Sequence, residues 1–395
     1  MQLHRLGVLA IVACLPSCAP QVQTTENRAP GVFDSEVIFG MTAAMSGNAA
    51  FLGTETYRGA RSWFDSVNEK GGVSGRQIKL VVRDDAYDPP RTVANVQSLL
   101  VDDGVFGLFG FVGTPTSVKA IPLLDRARVP GVGFFTGADV LRTPQRAWAF
   151  HVRDSYYAEA EAATAYFVDR LHLSRVAALY QEDPFGQAVL SGIQLALQRR
   201  NMEPVASASF PRGSMALATA RDKLMASKPD VVAMVGTYGP LARFVKIASD
   251  GGHTWFHTVS FVGSEAFADE LIRTEHVNPE AYDHVMVTQV VPSPMSDEYP
   301  GIGEFRRVFS KSFPDDHPNY VALEGFVDAR VLTGALERAG RTLDRDSFAR
   351  ALESMKNVDV GIGRPVSYAS SSHVALTGVY LSRLGTDGVF RTFTP

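Results

Sequence analysis

The stretch that decides the fold is VFGLFGFVGTPTS, residues 105–117. Its first part, Val105–Phe111, is an almost continuous apolar run, which is typical of a strand covered on both faces of a sheet. The run leads to Gly113 and a hydroxyl cluster from Thr114 to Ser117. Thr and Ser are preferred residues at the start of a helix. A buried strand, a glycine–hydroxyl loop and a helix in this order predict an α/β fold with parallel strands.

The same alternation runs through the rest of the chain and predicts two similar lobes, one before and one after about residue 152. Because helices separate the strands, we expect covered parallel sheets with right-handed crossovers. The predicted strands are Glu36–Met41, Gln77–Arg83, Val105–Phe111, Pro130–Phe134, Arg175–Tyr180, Val231–Val235, Thr258–Val262 and His284–Val291. The predicted helices include Thr56–Asn68, Pro90–Val101, Ala158–Leu171, Phe185–Arg200, Tyr320–Ala339 and Asp346–Met355.

Composition places the chain among soluble globular proteins. It has 395 residues, of which 45% are hydrophobic and 20% are charged, and this length is typical of roughly two or three domains. The net charge of −4 gives no basic surface of the kind that binds nucleic acid, so we expect no nucleic-acid partner. Both cysteines, Cys14 and Cys18, lie near the N-terminus. Residues 19–395 therefore contain no disulfide, thiol nucleophile or cysteine-ligated metal.

The N-terminal residues indicate a signal peptide. The apolar run Leu6–Leu15 follows a short basic start and is shorter than the roughly 20 residues that span a bilayer as a helix. It leads into Leu15-Pro16-Ser17-Cys18, which resembles the motif at which bacterial lipoproteins receive their lipid. We therefore expect residues 1–18 to be a lipoprotein signal peptide, with Cys18 lipidated and the protein anchored to the membrane in the periplasm.

Two alternatives to this N-terminal interpretation stay open. The sequence Ile11-Val12-Ala13-Cys14 matches the same motif after a shorter apolar run, and simple secretion needs neither cysteine. The following residues, 19–35, are polar, contain proline and lack periodicity. They predict a flexible tether between the membrane and the folded body.

Three loops are candidates for ligand binding, because ligands bind beyond the carboxyl ends of parallel strands. Residues 42–47, 110–117 and 134–138 follow the first, third and fourth predicted strands, and each combines glycine with hydroxyl side chains. Each loop alone is explained by N-capping of the next helix. Together, on one sheet edge, the three loops favour a cradle for an anion or a carboxylate.

Patterns of catalysis and metal binding are weak. Gly71–Gly75 lacks the Lys-Ser/Thr ending of a phosphate loop, and His253 and His257 lack the glutamate of the zinc-protease pattern. The pair Asp84-Asp85 suits acid–base chemistry, but a solvated loop that caps the next element explains it better. We therefore expect no metal, no cofactor and no enzymatic activity.

Several segments form a specific pattern through their order and spacing. They are residues 37–47, 68–76, 84–89, Arg153, 183–186, 228–232 and 320–340. In this pattern the chain resembles the branched-chain amino-acid-binding proteins of ABC transporters, which are type I periplasmic binding proteins. The resemblance covers nearly all of the chain beyond residue 35.

This resemblance implies two Rossmann-like lobes joined by a three-strand hinge, with the ligand in the cleft between them. The implied crossings lie near residues 152, 292 and 365. Lobe 1 would then comprise residues 36–152 and 293–365, and lobe 2 residues 153–292 and 366–395.

The resemblance also implies a set of ligand-binding residues. A hydroxyl after the third strand and a group of hydroxyl and backbone atoms after the fourth hold the ligand carboxylate. Aromatic side chains of both lobes cover the ligand. The residues implied here are Ser46, Phe51, Thr114, Thr136, Gly137, Ala138, Tyr156, Phe185 and Tyr238, with Glu265 and Glu324 as candidate acids.

One departure from the family concerns the ligand's amino group. The acid that pairs with it in relatives falls on Ser260 or Phe261, and neither side chain can replace a carboxylate. Glu265 or Glu324 could substitute. With so many aromatic residues around the cleft, we expect an apolar or aromatic body with one polar or acidic end, not a simple branched-chain amino acid.

A second departure is the loss of the disulfide that amino-acid binders often carry, since its positions fall on Tyr87 and Gly113. Taken together, the residues predict a monomeric solute-binding lipoprotein that closes on a small carboxylate-bearing or polar solute. Its partners would be that solute and the permease subunits of an ABC importer. A ligand-sensing receptor of the same fold, which signals to a regulator or kinase, is the alternative.

Overall fold

A computed structural model of the protein describes residues 29–250 and 253–394. The predicted signal peptide, both cysteines and most of the predicted tether lie outside the described residues. The tether prediction is wrong for its last part, because residues 29–35 pack on the first lobe. Ile38 N donates to Gly31 O, and Val32 is buried and bridges to Val37.

Lobe 1 is built on a five-stranded, wholly parallel sheet in the order β2-β1-β3-β4-β5. All six residues of its central strand β3 are buried, as the apolar pattern predicts. The strands are β1 (Glu36–Ala43), β2 (Gln77–Asp84), β3 (Gly107–Val112), β4 (Gly131–Phe135) and β5 (Ala149–Phe150), and the helices between them are α1 (Ala50–Glu69), α2 (Pro89–Val101) and α3 (Thr114–Ala127).

Lobe 2 is built on a seven-stranded sheet in the order β14-β13-β10-β9-β8-β6-β7. Five strands are parallel, and β13 and β14 extend the sheet in antiparallel pairing. The strands are β6 (Val176–Gln181), β7 (Ala206–Phe210), β8 (Val231–Val235), β9 (Trp255–Thr258), β10 (Val285–Gln289), β13 (Tyr380–Leu384) and β14 (Phe390–Phe393). The helices are α4 (Tyr156–Thr164), α5 (Pro184–Gln198), α6 (Ala218–Met225), α7 (Tyr238–Ala248) and α8 (Ser264–Asp269).

Three helices from the last third of the chain return to lobe 1, where α9 and α10 pack against α1, and α11 packs against α10. Helices α1 and α10 cross closely, because a Cβ built on Gly59 would lie 1.8 Å from Ala322 O and one on Gly325 would lie 2.2 Å from Thr56 O. These elements are α9 (Pro300–Ser312), α10 (Tyr320–Ala339), α11 (Arg345–Glu353) and the short pair β11 (Val358–Asp359) and β12 (Pro365–Val366).

The chain passes between the lobes three times. It crosses between β5 and α4, between β10 and α9, and between β12 and β13. The prediction of a two-lobed α/β protein with parallel sheets is confirmed. No helix in residues 29–250 or 253–394 combines the length and apolarity needed to cross a membrane.

One predicted strand is wrong. The segment Thr258–Val262 is not a strand, since β9 ends at Thr258 and Ser260–Val262 form a 3-10 turn. Phe261 and Val262 are apolar because they are buried at the junction of the lobes. Their burial does not depend on membership of a sheet. Strand β7 was not predicted, since it is a sheet-edge strand with the sequence Ala-Ser-Ala-Ser-Phe and lacks a continuous apolar run.

The expectation of a solvated aspartate pair also needs correction. Asp85 is fully buried and accepts hydrogen bonds from Thr42 Oγ1 (3.0 Å) and Thr92 Oγ1 (2.9 Å). Burial raises its pKa above the usual range. Asp84 accepts from Met45 N and Ser46 Oγ. Both carboxyl groups thus anchor the loop after β1 through hydrogen bonds.

Candidate ligand-binding site

The carboxyl ends of the lobe 1 strands face the carboxyl ends of the lobe 2 strands. Phe135, at the end of β4, lies 5.6 Å from Phe261 after β9, measured between ring centroids. Phe51, in α1, lies 6.4 Å from Tyr238 at the start of α7. This is the cleft in which open parallel sheets bind their ligands.

Two buried hydroxyl groups meet at the lobe 1 side of the cleft. Thr114 Oγ1 and Thr136 Oγ1 are 2.7 Å apart, and both residues are fully buried. Thr114 is the first residue of α3, but the cap position belongs to Gly113 and no side chain caps this helix. The hydrogen bond between the two hydroxyl groups uses only one of their two protons, so the other proton is available for donation. The pair therefore suits the oxygen of an anion.

Tyr156 adds a third hydroxyl next to this pair. It is the first residue of α4 and is fully buried. Its hydroxyl interacts with Thr136 but reaches full hydrogen-bond geometry with none of the described residues. Its amide donates to Gly137 O (2.8 Å), and a Cβ on Gly137 would lie only 2.7 Å from that nitrogen. Burial raises the pKa of Tyr156 to about 12, so its hydroxyl remains a donor.

Aromatic rings fill the centre of the cleft. Phe261 lies at its middle, with ring centroids 4.5 Å from Phe185, 5.6 Å from Phe135 and 6.1 Å from Tyr87. Phe185 in turn lies 5.4 Å from Tyr156. Phe261, one of the two residues to which the resemblance assigns the acid, therefore makes apolar contacts between the two lobes.

A buried arginine lies beside the first crossing. Arg153 Nη2 donates to Glu159 Oε1 (3.1 Å) and to Ser260 Oγ, while Nη1 lies 3.4 Å from Glu324 Oε2. Glu159 also accepts from Ser260 N and Thr288 Oγ1 (both 2.8 Å). Burial raises the pKa of Glu324 to about 7. Because Glu324 Oε2 already lies within ion-pair distance of Arg153, this carboxyl is poorly available to a ligand cation.

Glu265 is the candidate acid with a free oxygen. Its Oε1 accepts from Tyr320 N (3.1 Å) at the start of α10, across the junction of the lobes. Its Oε2 is buried and has no hydrogen-bond partner among the described residues. Burial, with Glu55 nearby, raises the pKa of Glu265 to about 7. An ammonium group in the cleft would supply the missing partner.

The remaining predicted residues line the edge of the cleft or lie outside the cluster. Phe51 and Tyr238 are partly exposed, and the Phe51 ring lies 3.3 Å from a Cβ built on Gly263. Ala138 is fully buried, and its amide donates to Thr136 Oγ1 (3.3 Å). Ser46 is exposed and its hydroxyl is bound to Asp84, so the structure does not bring it to the hydroxyl pair.

Sequence reasoning missed Tyr87 as a cleft residue. The side chain is buried, its backbone is left-handed (φ 62°), and a Cβ on Gly113 would lie 2.2 Å from its ring. The two positions implied for a disulfide are therefore filled by a tyrosine that packs on a glycine. The combination of a large residue at 87 with glycine at 113 was the available signal.

The chain is similar to known proteins over most of its length. The sequence profile of the periplasmic binding protein family matches residues 36–388. The Leu/Ile/Val-binding protein homolog 7 of Brucella suis is 24% identical over 375 residues, which cover 92% of this chain and 88% of that protein.

Solved structures show the same similarity. A possible leucine/isoleucine/valine-binding protein from Rhodopirellula baltica is 27% identical, with a TM-score of 0.84, and the match covers 93% of this chain and 98% of that chain. A substrate-binding periplasmic protein from Ralstonia solanacearum is 29% identical, with a TM-score of 0.82, and covers 91% of this chain and 100% of that chain.

The buried carboxyl of Glu265 predicts a pH dependence of stability. Its pKa is about 7 in the folded protein against a usual 4.5, so between these values the unfolded chain loses a proton that the folded protein keeps. The free energy of unfolding should therefore fall as the pH rises from about 4.5 to 7. The share from Glu265 is at most roughly 3 kcal/mol.

Urea unfolding of wild type and Glu265→Gln at several pH values measures this share. The variant should show a shallower decline, while the exposed-site control Glu337→Gln should follow wild type. A Glu265→Gln profile parallel to that of wild type would show that this carboxyl is not buried in the folded state.

Proposed function

The chain belongs to the periplasmic binding protein family, and on that premise we propose that it is the solute-binding component of an ABC importer. It performs no chemistry and closes its two lobes on a small amino-acid-like solute. The similarity to proteins described as Leu/Ile/Val-binding supports this class of solute. The observation that carries the proposal is the fully buried pair Thr114 and Thr136 in the cleft between the lobes.

The hydroxyl pair would hold the solute's carboxylate. Thr114, Thr136 and Tyr156 present three hydroxyl groups, and the Tyr156 hydroxyl interacts with Thr136. Hydrogen bonds to a charged acceptor are the strong ones, and burial away from water strengthens them further. Three converging hydroxyls therefore suit a carboxylate better than they suit a neutral carbonyl.

Glu265 would meet the α-amino group. A buried ammonium is costly unless a carboxylate pairs with it. Glu265 Oε2 is a buried carboxylate oxygen without a partner among the described residues, and Glu265 lies at the junction of the lobes. Ser260 and Glu324 are both engaged with Arg153. Of the two substitutes that the sequence offers, the contacts therefore favour Glu265.

Closure would bend the chain at its three crossings. We assign residues 36–152 and 293–365 to one lobe and residues 153–292 and 366–395 to the other, with Phe51 and Tyr238 closing over the solute from opposite lobes. Their edge-to-face contact supports this arrangement. Hinge closure that buries a ligand between two domains is a common mode of solute capture.

The first prediction from this proposal concerns Thr114. Replacing Thr114 by alanine should weaken the binding of L-leucine, measured by isothermal titration calorimetry, by about 10- to 150-fold, since a hydrogen bond to a charged group is worth roughly 1.5–3 kcal/mol. The matched control is Thr116→Ala, because Thr116 Oγ1 is buried in the same turn but donates to backbone oxygens. Equal losses in both variants would argue against a direct role of Thr114.

A second prediction concerns the membrane anchor. We propose that Cys18 carries a lipid that holds the protein to the membrane in the periplasm, which the sequence Leu15-Pro16-Ser17-Cys18 supports. Cys18→Ala should move the protein from the membrane to the soluble fraction on cell fractionation. If the protein instead stays in the membrane fraction and only Cys14→Ala releases it, the lipid is on Cys14.

A further inference from the structure

We propose that the cleft contains a second polar subsite, formed by Tyr87 of lobe 1 and Gln181 of lobe 2, which selects solutes that carry an amide or a hydroxyl on their side chain. The proposal rests on the proposed solute-binding function and adds a preference that the hydroxyl pair and Glu265 do not determine. The side chains that support the proposal belong neither to the hydroxyl pair nor to Glu265.

The orientation of the Gln181 amide is fixed. Gln181 ends β6, is fully buried, and its Nε2 donates to Asp183 Oδ2 (2.6 Å). Asp183 Oδ1 accepts from Phe185 N (3.0 Å) and Gly186 N (3.1 Å) at the start of α5. Because Asp183 acts as an acceptor on both oxygens, the amide nitrogen must face it. Gln181 Oε1 therefore points away, and it has no donor among the described residues.

Tyr87 approaches the same place from the opposite lobe. It is 2% exposed, and its hydroxyl interacts with the Gln181 side chain but reaches full hydrogen-bond geometry with none of the described residues. Its ring is held between the Gly113 backbone and the guanidinium of Arg212, which lies 5.6 Å from the ring centroid. Burial and the nearby Asp183 raise the pKa of Tyr87. The phenol therefore stays protonated and can both donate and accept.

A third unpartnered oxygen lies along the same sheet edge. Thr237 follows β8, which pairs with β6 in the sheet of lobe 2. Thr237 is fully buried, and its Oγ1 neither caps α7 nor has another partner among the described residues. Buried polar groups without a partner are costly in a folded protein, so three of them at one cleft indicate that a ligand completes them.

The chemistry of these atoms defines the ligand group. A primary amide donates its N–H to Gln181 Oε1 and accepts from the Tyr87 hydroxyl, and an alcohol has the same two capacities. An isopropyl or isobutyl group has neither capacity and leaves the Tyr87 hydroxyl and Gln181 Oε1 with only their contact to each other. Sites built to hydrogen-bond a ligand discriminate against analogues that lack the group, because their own polar atoms then stay unsatisfied.

Isosteric amino acids test this preference directly. Asparagine has the shape of leucine, and threonine has the shape of valine, so each pair differs mainly in hydrogen bonding. Calorimetry with the full-length protein should give tighter binding of asparagine than of leucine and of threonine than of valine. In Tyr87→Phe, which removes one oxygen and keeps the ring, each preference should shrink by about 2- to 10-fold.

The matched control is Tyr368→Phe. Tyr368 is also buried with an unpartnered hydroxyl, but it packs against Phe150 and not against the cleft aromatics. It should keep the wild-type preferences.

The possible results of these titrations distinguish a failure of the proposed subsite from a failure of the proposed solute-binding function. Tighter binding of leucine and valine, with no change in Tyr87→Phe, would overturn the subsite and leave the solute-binding function standing. Equal changes in Tyr87→Phe and Tyr368→Phe would also overturn the subsite. Failure of all four amino acids to bind would contradict the amino-acid-like solute itself, and the subsite with it.

Discussion

The geometry of the cleft depends on one buried guanidinium. Arg153 lies just after the first crossing between the lobes and joins Glu159, on the first helix of lobe 2, to Glu324, on a helix packed in lobe 1. Removing one partner of such a buried pair typically costs about 3–5 kcal/mol, because the other charge is left uncompensated. Arg153 also binds Ser260, and thereby fixes the turn that carries Phe261 and leads to Glu265.

From this anchor the cleft divides into polar ends and an aromatic middle. The hydroxyl pair belongs to lobe 1, whereas Glu265 comes from lobe 2, so a solute that carries both a carboxylate and an amine would bind to both lobes at once. Phe135, Phe185 and Phe261 meet in the middle. Their apolar burial excludes water, which makes each polar contact at the ends stronger than it would be in an open site. In the proposed binding mode, solute binding and closure of the lobes would therefore be coupled.

The sequence predicts the fold well because the patterns that indicate strands and helices lie within short segments of the chain. The apolar run before Thr114 and the hydroxyl loops after β3 and β4 lie within single strand–loop–helix units, and the structure brings Thr114 and Thr136 into contact. The strand predicted at Thr258–Val262 failed for the opposite reason. Phe261 is apolar because it contacts the other lobe, and a one-dimensional pattern does not distinguish that from burial in a sheet.

The same limit applies to the site residues that were missed or left open. Tyr87 and Gln181, which form the proposed subsite, come from different lobes, and no local sequence pattern links one to the other. Glu265 and Glu324 are equal candidates in the sequence, and only the contact of Glu324 with Arg153 separates them. Long-range pairing of polar groups is thus the part of the site that only the structure reveals.

The most direct test of the account is a comparison of L-leucine with 4-methylpentanoate, its analogue without the amine, by calorimetry on wild type and Glu265→Gln. The account predicts that wild type binds leucine more tightly than 4-methylpentanoate and that Glu265→Gln abolishes this difference. Equal or tighter binding of 4-methylpentanoate by wild type would contradict it, and so would a leucine preference that survives in Glu265→Gln.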